Sequence, residues 1–293
     1  MNETDMYFND ESPMNFKIVH ETTYLFSDKV FLEPHHLRFR PKKTPFINLT
    51  HFSIHLTPEA AGHKVIEDEE HNIVDFCWFE KLTSHLTLTV ESHLQTSDYN
   101  PFDFIIYPDS FSRTPFIYSD SQYQILYAYL QKVALTPDLI NYAEKILNNV
   151  HYNTIEFVTH LTSQIHNDFI VEYRENGPPL TPDATFDIKK GSCRDLSWMQ
   201  ISMLRHYGIA SRFVSGYFYF ETERPIYELH AWVEVFIPGI GWLGFDPSHG
   251  ILTGNTHFSV ASGATPENTM PVSGGLRGSA TSTLSTTLII ERS

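Results

Sequence analysis

The sequence is poor in cysteine: its 293 residues include only Cys77 and Cys193, far apart and in different halves of the chain. A structural disulfide is therefore not expected, and both thiols should be free. There is no CxxC pair, no HExxH and no acidic calcium loop, so neither a metal site nor a cofactor is expected. Basic residues are also scarce, 20 Lys and Arg against 35 Asp and Glu for a formal charge of −15. That field repels phosphate backbones and anionic lipid, which argues against nucleic acid or a membrane as partner. No apolar run approaches the ~20 residues that cross a bilayer. The opening MNETDMYFNDESPMN carries no basic stretch ahead of an apolar one, and a cytoplasmic protein is expected.

What is present describes an aromatic-rich globular chain, 41% hydrophobic with 22 Phe, 15 Tyr and 4 Trp, long enough for two domains. An acidic, disordered tail is expected at 1–15, then an all-β domain over 16–108. Phe16, Ile18, Thr22, Tyr24 and Phe26 share one parity, as do Phe52, Ile54 and Leu56, and Leu86, Leu88, Val90 and Leu94. Breaks at Glu33-Pro34 and Arg40-Pro41 and the EDEEHN turn give the spacing of an antiparallel sandwich or barrel. From 109 to 293 the pattern changes. SQYQILYAYLQKVA, TPDLINYAEKILNNV and NTIEFVTHLTSQIHNDF carry helical spacing, the last with Thr154 as its expected cap. Pro178, Pro179 and Pro182 mark a rigid loop. One more helix starts near Cys193 and stops at Gly208, and the strands SRFVSGYFYF, LHAWVEVFI, GWLGFDP and LSTTLIIE follow. The fold class is α+β, with an antiparallel sheet in the second half.

Cys193 falls at the start of that helix, where unpaired N–H groups and the positive dipole end favour a thiolate and can bind a developing oxyanion. His230 lies on a strand; among 16 histidines it means little alone. The PGIG turn at 238–241 changes that. If the turn pairs Ile237 with Gly241, His230 and Asp246 stand one diagonal step apart on the same face, within reach of each other. A one-residue slip would put them on opposite faces. Cys77, in the alternating VDFCWFE, reads as core.

The joint pattern GSCRDLSWMQISMLRHYGIASRFVSGY and ELHAWVEVFIPGIGWLGFDPSHG resembles the bacterial branch of the transglutaminase-like superfamily. PHHLRFRP and VDFCWFE are similar to its N-terminal domain. The resemblance implies a papain-like transglutaminase core with a Cys193-His230-Asp246 triad: nucleophile, base and orienter. It implies Tyr173 and Ser192 as substrate or oxyanion candidates, with Arg194 and Asp195 a structural ion pair and Trp232 and Trp242 packing residues. Two departures stand out. A Gly-Asn turn of the branch is here His71-Asn72, with Asn72 expected to take the left-handed position. The segment around Gly263 to Pro266, expected to border the site, lacks the branch's charged and aromatic residues. The implied activity is acyl transfer through a thioester on a peptide or glutamine-type amide, hydrolytic when water is the acceptor and transamidating when an amine is. A catalytically silent peptide-binding module is the alternative of another class, and three-residue zinc ligation by the triad a third.

Overall fold

The computed structural model describes residues 13–174, 177–222 and 225–293. Residues 1–12 of the expected tail lie outside them. Met14 and Asn15 already belong to the first strand.

The N-terminal half is one curled antiparallel sheet of β1 (Met14–Leu37), β2 (Ile47–Thr57), β3 (Gly62–Glu67), β4 (Ile73–Trp78) and β5 (Leu82–Thr96) in the order β2-β5-β1-β4-β3. Strand β1 runs through the expected break at Glu33-Pro34. A register shift between Leu32 and His35 absorbs the proline, which has no N–H to give to a ladder. The alternation read from sequence places Leu86, Leu88 and Val90 inside with Val30, Leu32, Leu37 and Cys77, the core around which the sheet curls. At the tip of the β3–β4 turn the left-handed residue is His71, at φ 59°, and not Asn72, whose side chain is used elsewhere.

The second half opens with α1 (Asp120–Leu126), α2 (Pro137–Asn149), α3 (Thr154–Asp168), β6 (Ile170–Val171), α4 (Pro182–Ile188), β7 (Lys190–Gly191) and α5 (Cys193–His206). The first of these is shorter than its sequence pattern. It passes into a 3₁₀ turn at Tyr127–Leu130, and beyond it Arg205 binds the Gln131 carbonyl while Lys132 reaches the His206 carbonyl, which holds the chain extended. Helix α3 is capped by Asn153, whose side chain accepts from the Glu156 N–H at 3.1 Å; the expected cap, Thr154, is buried and bonds Thr114 instead. Pro182 starts a helix where a loop was expected, capped by Thr181. The signal was present, since the same Thr-Pro-Asp triplet opens α2 at 136–138.

Strands β8 (Ser211–Phe218), β9 (His230–Ile237), β10 (Gly241–Asp246), β11 (Ile251–Leu252) and β12 (His257–Gly263) form an antiparallel sheet in the order β11-β10-β9-β8-β12. Leu139, Phe157, Leu161, Leu196 and Met199 join Val233, Val235 and Phe245 in the largest core. Tyr217, Phe258 and Val260 pack instead on Phe16, Ile18 and Ile290, joining the two sheets.

The last two strands, β13 (Val272–Arg277) and β14 (Ser282–Arg292), depart from the sequence reading. Both pair with β1, so LSTTLIIE closes the first sheet and not the second. Alternation reports which face of a strand is buried but not which strand it joins. Among the described residues no helix is long and apolar enough to cross a membrane.

Candidate active site

The site is built from the start of α5. Strands β6 and β7 pair in parallel, and the Glu172 N–H donates to the Gly191 carbonyl at 2.9 Å, which brings Tyr173 alongside the 192–193 junction. Asp195, fully buried, ties this junction down. Its Oδ2 accepts from the Ser192 N–H at 2.8 Å and from the Ser192 hydroxyl at 2.6 Å. Its Oδ1 accepts from the Leu180 N–H at 2.7 Å and from Arg174 at 2.5 Å. Burial alone would raise this carboxyl; the bonds from Ser192 and Leu180 and the Arg174 charge outweigh it and hold it low. The ion pair expected between Arg194 and Asp195 is thus made by Arg174, while the Arg194 guanidinium binds the Arg174 carbonyl. Ser192 is likewise not placed for substrate: it is 5% exposed, and both of its donors are committed to Asp195. Tyr173 is 65% exposed and stands beside the start of α5.

The hairpin supplies the other two residues. Gly241 faces Ile237 and Phe245 faces Val233, the register on which the diagonal contact depends. His230 Nε2 stands 2.7 Å from Asp246 Oδ2, and the Cys193 side chain is near enough to the ring to favour its charged form, so the imidazole has the carboxylate as partner and the thiol as neighbour. Burial pulls the His230 pKa down, but the Asp246 charge and hydrogen bond, with Cys193, outweigh that and hold it at about 10. Asp246 is completely buried; desolvation disfavours its charge, and His230, His249 and His257 together hold it well below the ordinary carboxylate range.

Three more residues surround Asp246 that the sequence reading did not single out. The Ser248 N–H and hydroxyl reach Oδ1 at 3.0 and 2.6 Å. His249 Nδ1 lies 2.8 Å from Oδ2. His257 Nε2 is 3.5 Å from the same oxygen, and burial lowers its pKa, so this ring is neutral. Its Nδ1 accepts from the Gly254 N–H, which puts its proton on Nε2, towards Asp246. Phe218 stacks on His257 with ring centroids 4.0 Å apart and meets His249 edge-on at 4.8 Å, an aromatic wall beside the carboxylate. That His249, three residues after Asp246, folds back onto the aspartate was not legible in the sequence.

His230, Asp246 and His249 present three ligand-type atoms within 4.8 Å of one another. The two nitrogens approach one carboxylate oxygen at 2.7 and 2.8 Å, the spacing of N–H···O bonds; ligands arranged around a zinc ion stand about 3.3 Å apart. The segment from Gly263 to Pro266 does not border this site. His257 is level with Phe218 and Gly263 with Phe213, six residues along β12 and roughly 20 Å at strand rise. Trp232 is buried beside His257, and Trp242 lies under Arg212 at 4.1 Å.

The Transglutaminase-like superfamily core matches residues 140–247, and the Bacterial transglutaminase-like N-terminal region matches residues 16–95. An uncharacterized Mycobacterium bovis protein, Mb2599c, is 28% identical over 134 residues, 41% of each chain. YebA of Bacillus subtilis, also uncharacterized, is 37% identical over 76 residues, 22% of this chain and 10% of its own. The chain spans less than half the length of these relatives. Among solved structures, the "Putative Cysteine Protease" of Cytophaga hutchinsonii superposes with a TM-score of 0.73 at 19% identity, over 96% of this chain and 91% of its own, a likeness of fold. The chain belongs to the transglutaminase-like superfamily, carrying its core together with the bacterial N-terminal region.

Proposed function

We propose that this protein is a cysteine-dependent acyl-transfer enzyme that opens a peptide or glutamine-type amide through a thioester, with water as the ordinary acceptor. The observation that carries this reading is the His230 ring, hydrogen-bonded to Asp246 at 2.7 Å with the Cys193 side chain beside it. Asp246 favours the imidazolium form of His230, and an imidazolium beside a cysteine at a helix start is the setting in which that cysteine reacts as its thiolate. The thiolate attacks the amide carbon, and the backbone N–H groups at the start of α5 receive the oxyanion. His230 gives its proton to the departing amine. Water then attacks the thioester with His230 as base, and collapse releases the acid and leaves Cys193 as a thiolate beside protonated His230. Asp246 keeps the Nε2–H in place throughout. The substrate is a peptide or protein, and two free cysteines suit a reducing, cytoplasmic setting.

The test is incubation with glutamine-containing peptides, with and without a primary amine, following ammonia, cleavage products and amine incorporation. Hydrolysis products should dominate even with amine present; dominant incorporation would make the enzyme a transamidase. Cys193→Ala should lower turnover at least ~10³-fold, and retained turnover would overturn the mechanism.

A further inference from the structure

We propose that His249 is a positioning residue: by sharing Oδ2 of Asp246 with His230, it sets how tightly that carboxylate holds the His230 imidazolium. This inference rests on the cysteine-enzyme reading only for its effect on turnover. The coupling between the two rings is a property of the fold.

Oδ1 of Asp246 is filled by the Ser248 N–H at 3.0 Å, the Ser248 hydroxyl at 2.6 Å and the His249 N–H at 3.3 Å. Oδ2 receives His230 at 2.7 Å and His249 at 2.8 Å. A carboxylate oxygen has two good acceptor directions, and the two rings take them. His257, at 3.5 Å, is left with its buried Nε2 lacking a formed hydrogen bond. Two donors on one oxygen compete, since each draws electron density that the other would use. His249 differs from the other donors in position as well. Ser248 and His257 are buried, whereas the His249 side chain is 40% exposed and its ring stands 5.2 Å from that of His230. Besides His230 itself, it is the donor to Asp246 that solvent can reach.

The charged and titratable groups facing His230 are few. Cys193 comes from α5, Glu228 from the stretch before β9, Asp246 and His249 from the end of β10 and its turn, and His257 from β12. Phe218 of β8 adds an apolar ring. Of these, His249 meets His230 chiefly through the shared oxygen. Replacing its N–H by an apolar group of similar bulk should strengthen the remaining bond and favour the imidazolium. An asparagine at this position can place an amide N–H where Nδ1 now lies.

The experiment follows the His230 ring by NMR across pH in Cys193→Ala protein carrying, in addition, His249→Leu or His249→Asn, with a thermal melt confirming that each variant is folded. His249→Leu should move the His230 titration upward by about half a pH unit or more. His249→Asn should return it to the parent position. In protein retaining Cys193, the basic limb of the activity profile should move the same way. An unmoved titration in folded His249→Leu protein, or an asparagine variant that behaves as the leucine one does, overturns the proposal. If the protein shows no thiol-dependent turnover while the titration moves as expected, the enzymatic reading fails and the coupling stands.

Discussion

At the scale of single residues, the site separates two cysteines by environment. Cys77 is buried among apolar side chains, and burial with the nearby Asp75 charge pushes its thiol up to about 11. Cys193 sits at a helix start beside His230, whose charged form Asp246 favours. Limited alkylation at mildly acidic pH should therefore label Cys193 alone, as peptide mapping would show; labelling of Cys77 at a comparable rate would contradict this. The His230–Asp246 pair also links stability to pH. A histidine raised from 6.5 to about 10 contributes stability that is complete below its unfolded value and is lost as pH rises through about 10. A depressed Asp246 contributes stability that is present above the ordinary carboxylate range and is lost on acidification. Urea midpoints should thus fall from pH 7 towards pH 11. In Asp246→Asn that alkaline decline should be absent and turnover should drop roughly 10²- to 10⁴-fold, since an amide fixes neither the proton nor the charge. An alkaline decline that survives in Asp246→Asn would place its cause elsewhere.

At the scale of elements, the hairpin of β9 and β10 shows what made the site legible. Its turn is four residues of sequence and its register follows from local geometry, so a contact across 16 positions reduced to counting. The helix that stops at Gly208, at φ 80°, was legible for the same reason. Where tertiary bonds decide, the pattern misled: Arg205 and Lys132 end the helical run beyond α1, and Thr154 gives up its cap to a buried partner. The turn after Asp246 was a blind spot of another kind. It is fixed by His166 of α3, whose Nδ1 lies 2.9 Å from the Ser248 carbonyl oxygen, a contact over 82 residues that no local signal encodes. Gly250 completes it at φ 71°, and a Cβ there would stand 2.9 Å from that of His166. Gly250→Ala should therefore cost about 1–3 kcal/mol in chemical denaturation. It should also weaken turnover by shifting the donors that Ser248 and His249 present to Asp246; an alanine variant with wild-type stability would show that this turn is looser than its contacts imply.

At the scale of the whole molecule, two joints between the sheets were not visible in the sequence. One joint is the β3–β4 turn. Asn72 donates to the Ser262 carbonyl at 3.0 Å and accepts from the Ser262 N–H at 2.8 Å, as a neighbouring strand would. Glu70 accepts from the Ala264 N–H at 2.8 Å and from Asn268 at 3.2 Å. These contacts give the segment after β12 its role as a latch to the first sheet, far from the chemistry. The other joint is β14, which pairs with β1 from Phe16↔Arg292 to Phe26↔Ser282 and brings Ile290 to the shared core. The joints differ in what their loss exposes. Asn72→Ala leaves the Ser262 groups unpaired and should cost about 1–3 kcal/mol, read as a lower urea midpoint with the oligomeric state unchanged. Removing residues 282–293 strips one edge of β1 over Phe16 to Phe26, and a long bare edge is a template for pairing with other chains. We expect that truncation to aggregate on size-exclusion chromatography before it melts. A truncated protein that stays monomeric with an unchanged melting curve would mean that β14 lies on the sheet without supporting it.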